Sequence, residues 1–325
     1  MKIPLFWAES RKRTRVGGRQ FTIRRFGWSD VSMDDAEAMA DKRASKDLAA
    51  AARGEVVDAR ERKVPYNGAE GLPIREEVIA QRGESVLTRN SYGALCLNTP
   101  DVFFADIDTE FALPMSWAAA VLAGFGVAVV VMVISGTPLS LVGVALILAL
   151  FLTPLAADLS YRMYLSFIGG PRLRAFRRIS RFARRNPGWH LRVYETPAGY
   201  RVLAMHATFD PAGDVVHHSF RELAADPAYV AMCRRQRCFR ARVSPKPWRA
   251  GVIEHIRPRR GVWPVAPHYL PSRKQWIQNY EAQSEGFASC RFVARFGSNH
   301  VHPAAESVRQ WHDELSRAAS ELPLA

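Results

Sequence analysis

Two aspartates, Asp106 and Asp108, stand at the end of an apolar run and are the side chains whose type and spacing best suit chemistry. The run reads "DVFFADIDTE", from Asp101 to Glu110. On a strand, residues two apart point to the same face, so both carboxylates would meet one neighbour. Carboxylates on a rigid strand end are ligands that Mg²⁺ and Mn²⁺ use beside phosphates. The alternative is a strand that ends where it meets solvent.

Two later segments complete a pattern of three motifs. Ala204-Met205-His206 places a histidine two residues after a small residue, and Val252-Ile253-Glu254 ends an apolar pair with an acid. With "FFADID", these segments resemble the motifs in the catalytic domains of archaeo-eukaryotic primases and primase-polymerases, over residues 86–108 and 189–256. Two features depart from that family: a long apolar insertion separates the first two motifs, and no zinc-binding module is visible.

The resemblance implies a metal-dependent site for a nucleotide or another phosphate. In such a site Asp106 and Asp108, joined by Glu254, would bind Mg²⁺ or Mn²⁺. His206 would contact the phosphate together with basic residues. Beyond these ions the sequence indicates no cofactor, and it leaves open whether the protein is an enzyme.

A basic segment from Cys233 to Arg249 has seven Lys or Arg among its 17 residues. Alternation along "CFRARVS" predicts a strand with its arginines on one face, and "PKPWR" follows as a proline-stiffened loop. As an anion clamp, the segment would bind phosphate or carboxylate groups and stack its Trp on a base or ring. The alternative is a solvated edge strand whose charges prevent aggregation. The predicted anion-binding residues are Arg240, Arg242, Lys246, Trp248 and Arg249.

An uncharged run divides the chain. From Phe111 to Ala157 there is no Asp, Glu, Lys or Arg. Within it, Ser116–Ile134 and Pro138–Ala157 each have about 20 residues, the length that crosses about 30 Å of hydrocarbon as a helix. The break "SGTP" supplies Gly and Pro for a turn. We therefore predict a hairpin of two transmembrane helices; the alternative is a helix pair buried in a soluble core.

The charge distribution predicts which side of the membrane the termini occupy. Residues 1–110 hold 18 Lys or Arg and 18 Asp or Glu, whereas residues 158–325 hold 27 and 13, so the formal charge of +14 all follows the hairpin. Lys and Arg concentrate on the cytoplasmic side, and the loop between the spans is uncharged. Both termini are predicted to be cytoplasmic, at a bacterial-type inner membrane. In that reducing compartment the four cysteines should form no disulfide.

An arginine-rich segment, "RLRAFRRISRFARR", follows the second span. Its apolar residues recur at every third position, which predicts an amphipathic helix. Such a helix either lies on an anionic leaflet and binds lipid headgroups or packs its apolar side on the soluble domain. The predicted membrane-surface residues are Arg172, Arg174, Arg177, Arg178, Arg181, Arg184 and Arg185.

Short alternating segments on both sides of the transmembrane hairpin predict an α+β fold. The clearest of them is a β-hairpin within Trp189–Phe209, and Ser32 is predicted to cap the start of a helix in the first half. Residues 1–110 have too few apolar strands for a core of their own. We therefore expect one cytoplasmic domain with a mostly antiparallel sheet, built from both halves of the chain and interrupted by the hairpin. The predicted division is 1–110 and 189–325 for the two parts of this domain, 111–157 for the hairpin (spans about 116–134 and 138–157), and 158–188 for a juxtamembrane basic helix.

Three functions are compatible with these residues. The first is a membrane-anchored basic domain that binds an anionic ligand or partner. The second is a metal-dependent nucleotide or phosphate enzyme, in which Asp106, Asp108, His206 and Arg240 converge. The third is a non-catalytic subunit of a membrane assembly. The partners implied are the membrane, anionic lipid headgroups, and a nucleotide, a nucleic acid or an acidic protein.

Overall fold

The chain divides into two compact units. The structure, a computed structural model, describes residues 1, 3–16, 19–61, 63–64, 68–69, 72–109, 113–259 and 263–325. Unit 1 comprises Met1–Ile107 and Phe182–Ala325, and unit 2 comprises Asp108–Arg181. The predicted boundary between residues 110 and 111 lies outside the described residues.

Unit 1 begins with a long β-hairpin that carries a helix on one face. Its first two strands pair antiparallel along their whole length. The helix begins at the predicted cap, Ser32, whose hydroxyl accepts the N–H of Asp35. The elements before the apolar run are β1 (Phe6–Val16), β2 (Arg19–Ser29), α1 (Met33–Ala52), β3 (Lys63–Val64), β4 (Gly68–Ala69), β5 (Glu77–Arg82), β6 (Ser85–Arg89), β7 (Leu95–Thr99) and β8 (Phe104–Asp108).

Unit 2 contains two long apolar helices that pack on each other. They are α2 (Met115–Ile134) and α3 (Leu139–Phe167), followed by α4 (Gly170–Arg185), which runs on into unit 1. Both α2 and α3 are long and apolar enough to cross a membrane, with a mean hydropathy of 2.5 and no buried residue in their most apolar stretch. Trp117 Nε1 donates to Ser160 Oγ at 3.0 Å, which joins the start of α2 to the later part of α3.

The rest of unit 1 follows α4 and alternates strands with helices. Its elements are β9 (His190–Thr196), β10 (Gly199–Ala204), α5 (Asp214–Leu223), α6 (Pro227–Gln236), β11 (Phe239–Arg242), α7 (Leu270–Ser284), β12 (Arg291–Gly297) and α8 (Pro303–Ser316). The predicted hairpin within residues 189–209 is confirmed as β9 and β10, paired antiparallel.

Unit 1 has two four-stranded sheets, and each takes strands from both halves of the chain. Their orders are β12-β9-β10-β8 and β11-β7-β6-β5. The mixed α+β class with antiparallel sheets is confirmed. The strands form two sheets rather than the one expected: β7 ends at Thr99, before Pro100, which has no N–H for a ladder, and β8 pairs in the other sheet.

An aromatic cluster joins the two sheets. Phe103, fully buried just before β8, lies 5.4 Å from the ring of Phe239 on β11 and 5.2 Å from that of Phe220 on α5. Trp189 meets Phe103 edge-on at 5.7 Å. The apolar run that precedes the two aspartates is therefore core.

Candidate functional site

Asp106 of β8 is paired with a buried arginine. Arg201, on the neighbouring strand β10, donates Nε to Oδ1 of Asp106 at 2.7 Å and Nη2 to Oδ2 at 3.3 Å. Its Nη1 donates to the carbonyl of Arg242, in the other sheet, at 2.9 Å. Burial lowers the pKa of Arg201, but the Asp106 carboxylate outweighs this and leaves the pKa above its ordinary value. The charged pair therefore holds β8, β10 and β11 together.

A chain of polar contacts continues from Arg201 into α8. Arg201 Nη1 lies 3.4 Å from Nε2 of His312, whose Nδ1 lies 2.9 Å from Oδ1 of Asp313. An ionised carboxylate only accepts hydrogen bonds, so Nδ1 of His312 carries the proton that it donates to Asp313. The other ring nitrogen, Nε2, faces Arg201. The sulfur of Cys290 lies 3.8 Å from the same Nε2. These are the contacts of a thiol–imidazole–carboxylate triad. Sequence reasoning missed it because Cys290 and His312 form no local motif.

This triad is closed to substrates, since Cys290 and His312 are both fully buried. Burial raises the pKa of the Cys290 thiol, but His312, Arg201 and Ser316 together leave it below its ordinary value. Asp313 is held in turn by Arg192 at 3.1 Å and by Arg309 at 3.0 Å. Buried cysteines do not react with outside reagents. In this conformation the network orders the core rather than performing chemistry.

Arg240, the first predicted anion-binding residue, is buried and neutralised inside unit 1. Its Nη2 donates to the two carboxylate oxygens of Glu76 at 2.8 and 2.6 Å, and its Nη1 donates to Asn98 Oδ1 at 3.2 Å. Thr88 Oγ1 donates to the same carboxylate at 2.7 Å. The predicted clamp is corrected here, because Glu76 covers the strand face that was expected to meet solvent. Removing one partner of such a pair costs about 3–5 kcal/mol, so Arg240 serves stability.

The other members of the predicted clamp lie on or beside the loop after β11. Arg242 is half-buried and donates Nη1 to the carbonyl of Ser244 at 3.1 Å. Lys246 Nζ lies 5.5 Å from the ring centre of Trp248, a cation–π arrangement. Trp248 is 54% exposed, and Arg249 ends the short 3₁₀ turn that contains it. These residues form a half-open surface without Arg240.

The remaining predicted site residues do not assemble a metal centre. Asp108 ends β8 and is exposed, and Glu254 is exposed in a loop. His206, just after β10, accepts the backbone N–H of His190 on Nδ1 at 3.3 Å. Among the described residues, no three His, Cys, Asp or Glu side chains are placed to hold a metal ion. The expected convergence of the acids and His206 on Mg²⁺ or Mn²⁺ is thus not present in the described part of the chain.

Three histidines form a cluster instead. His190 Nδ1 lies 2.9 Å from the carbonyl of His300, and His300 Nδ1 lies 2.9 Å from the carbonyl of His206. The His190 ring nitrogen Nε2 is buried and has no hydrogen-bond partner among the described residues. Burial lowers the pKa of both His190 and His206. Burial therefore favours the neutral forms of His190 and His206.

Helix α4 buries part of its apolar side. Ala175, Ile179, Phe182 and Ala183 are buried, whereas Leu173 is 37% exposed. Within unit 1, Phe182 meets the ring of Trp189 edge-on at 5.2 Å. The exposed arginines of α4 are Arg172, Arg174, Arg177, Arg181, Arg184 and Arg185, and Arg178 is half-buried.

The hairpin of β1 and β2 is a basic surface that sequence reasoning missed. The stretch "RKRTR", from Arg11 to Arg15, sets three arginines at alternate positions. All three side chains are exposed. The sequence signal for this surface was the alternation of cations before a Gly-Gly pair. The strand is nevertheless hard to recognise, because it lacks the alternation of apolar and polar residues by which strands are usually predicted.

Comparison of the chain with protein-family models, with curated proteins and with solved structures finds no match. Function must therefore be inferred from the residues and their contacts.

Proposed function

We propose that the protein is a two-span inner-membrane protein whose basic soluble unit binds an anionic ligand or partner. The observation that carries the proposal is α4. It begins at Gly170, three residues after α3 ends at Phe167, buries part of its apolar side and turns a row of arginines outward. Exposed guanidinium groups at the end of an apolar helix suit phosphate-bearing ligands, which Arg binds through paired N–H donors.

The membrane part of the proposal is supported by the dimensions of α2 and α3. From Trp117 to Ile134, α2 rises about 26 Å, close to the hydrocarbon thickness of a bilayer. At the start of α2, the ring of Trp117 lies 5.3 Å from the ring of Tyr161 and 5.0 Å from the ring of Tyr164. Trp and Tyr concentrate at membrane–water interfaces. An ion pair between Asp158 and Arg162, at 2.7 Å, belongs to the same end of α3.

The metal-dependent enzyme is the second candidate, and one observation favours it. Strand β8 contains the Asp-x-Asp motif, and strand β10 ends at the first residue of the Ala204-Met205-His206 motif. The two strands are neighbours in one sheet. Against it, Asp106 is bound to Arg201, and a metal ion would have to displace that guanidinium. Binding of an anion by the exposed arginines is therefore better supported than catalysis at Asp106.

Polyphosphate binding by the full-length, detergent-solubilised protein tests the proposal. The test variant combines Arg174→Gln, Arg177→Gln and Arg181→Gln on α4. We expect its affinity to fall about tenfold, about 1.4 kcal/mol, because three phosphate contacts are lost. A matched control removes three exposed cations elsewhere, Lys42→Gln, Lys46→Gln and Arg234→Gln. Equal losses in both variants, or no binding by the parent protein, would contradict the proposal.

A further inference from the structure

The hairpin of β1 and β2 has two faces, and α1 covers one of them. The covered face includes Gly27, Arg25 and Lys12, which share one side of the ladder. On this side, acids of α1 balance the cations: Arg25 pairs with Asp47, and Lys12 Nζ lies 3.7 Å from Asp41. The covered face therefore has little charge left for a partner.

The opposite face has an excess of arginines, which we call the arginine face. Arg11, Arg13 and Arg15 follow one another at alternate positions of β1, and Arg24 is the cross-strand partner of Arg11. One carboxylate, that of Glu9, pairs with both Arg11 and Arg24. Arg13 and Arg15 have no carboxylate partner among the described residues. Four cations against one acid leave the distal part of this face strongly positive.

The base of the same face is closed. Arg75 lies over the ring of Phe26 at 3.9 Å and over that of Trp7 at 5.1 Å. Its Nε donates to the carbonyl of Trp263. The rings of Trp7 and Trp28 lie 5.6 Å apart at an interplanar angle of 46°. A partner can therefore contact the distal arginines but not the aromatic base.

We propose that the arginine face, a second anion-binding surface beyond the one assigned to α4, binds the phosphate backbone of double-stranded DNA. Alternate residues of β1 are about 6.8 Å apart, and a DNA strand advances about 3.4 Å per phosphate. The span from Arg11 to Arg15, about 13.6 Å, therefore covers the axial rise of about four phosphates of one strand. The major groove of B-DNA admits a two-stranded β-ribbon of this kind.

The same observations favour duplex DNA over the other polyanions. A hairpin that lies on a membrane inserts Trp, Phe or Leu between the lipids. Among the described side chains of residues 6–15 and 20–29, no large apolar side chain is exposed. The major groove of A-form RNA is deep and too narrow for side chains to read. An acidic membrane surface is the outcome to distinguish by experiment.

The test measures binding of a short random-sequence DNA duplex by fluorescence anisotropy over a series of salt concentrations. The full-length protein is held in phosphatidylcholine nanodiscs. Each phosphate contact contributes about 0.9 to the slope of log K against log salt, so Arg13→Gln with Arg15→Gln should reduce the slope by about 1.8. Affinity should fall about tenfold, about 1.4 kcal/mol. The matched control, Lys42→Gln with Lys46→Gln, removes two exposed cations of α1 and should change the slope little.

Three outcomes would overturn the inference. If the parent protein binds polyphosphate but not the duplex, the proposed function stands and this partner is removed. If the two double variants lower the slope equally, net charge alone explains the binding. If the arginine variant loses capture of the nanodiscs by phosphatidylglycerol vesicles while DNA binding is unchanged, the face binds lipid. Circular dichroism of both variants checks that the hairpin is folded.

Discussion

At the residue scale, Asp106 and Arg201 form an ion pair in which the buried charge needs its partner. Asp106→Asn keeps the shape of the side chain but leaves Arg201 without a counter-ion beside His312. We expect a loss of about 3 kcal/mol in the free energy of unfolding, since one partner of a buried pair is removed. Thermal melting of the detergent-solubilised protein should show a lower Tm, with or without Mn²⁺.

Asp30→Asn is the control, because Asp30 is exposed between β2 and α1 and its replacement should change the Tm little. A rise in the Tm of the parent protein with Mn²⁺ or Mg²⁺, abolished by Asp106→Asn with Asp108→Asn, would instead support the metal-dependent enzyme.

His190 gives a pH dependence whose sign follows from its burial. Burial lowers its pKa below the ordinary 6.5, and protonation of Nε2 would place an N–H where no described acceptor lies. As pH falls below about 6.5, the unfolded chain binds a proton that the folded chain resists, so stability falls with pH. His190→Asn should keep a donor for the carbonyl of His300 without titrating.

The measurement compares Tm values at about pH 7.5 and about pH 5.5, on either side of the ordinary histidine pKa. The variant should lose less stability on acidification than the parent protein. The comparison cancels the opposite contribution of His312, whose pKa is lowered by burial but raised above its ordinary value by Cys290 and Asp313. An identical pH response in the two proteins would show that His190 does not contribute.

At the element scale, the contact between α1 and the hairpin depends on one glycine. A Cβ at Gly27 would lie 2.1 Å from the carbonyl oxygen of Ala36 and 2.3 Å from the N of Ala40, both backbone atoms of α1. Gly27→Ala should therefore push the helix off the hairpin, at a cost of about 3 kcal/mol, the upper end for overpacking. Gly286→Ala, where a Cβ meets nothing within 4 Å, is the control. Equal denaturation midpoints for the two variants would contradict this packing.

At the scale of the whole molecule, the membrane topology can be read with introduced cysteines. The four native cysteines are free and buried, and burial raises the pKa of Cys238 to about 12, so background labelling should be low. A membrane-impermeant maleimide should label Ser135→Cys, in the loop between the spans, in intact cells. Lys42→Cys and Glu314→Cys, both exposed, should react only after the membrane is opened. Labelling of either residue in intact cells would contradict the proposed topology.

Local patterns in the sequence were enough to locate many of the elements. Ser32 begins α1, the β9–β10 hairpin lies within residues 189–209, and the apolar run holds two long helices. Each of these depends on residues a few positions apart: a cap, an alternation or an unbroken apolar stretch. Their physical cause is local, so the order of the residues suffices to find them.

Which charges reach solvent was decided by the tertiary structure. Arg240 lies on a strand as predicted, yet Glu76, 164 residues away, covers it, and Asp106 meets Arg201 across 95 residues. The arginine face of the β1–β2 hairpin is free because α1 covers the other side. A strand's alternation separates two faces but does not say which one is buried. That choice depends on what packs there, and the packing partner comes from distant parts of the chain.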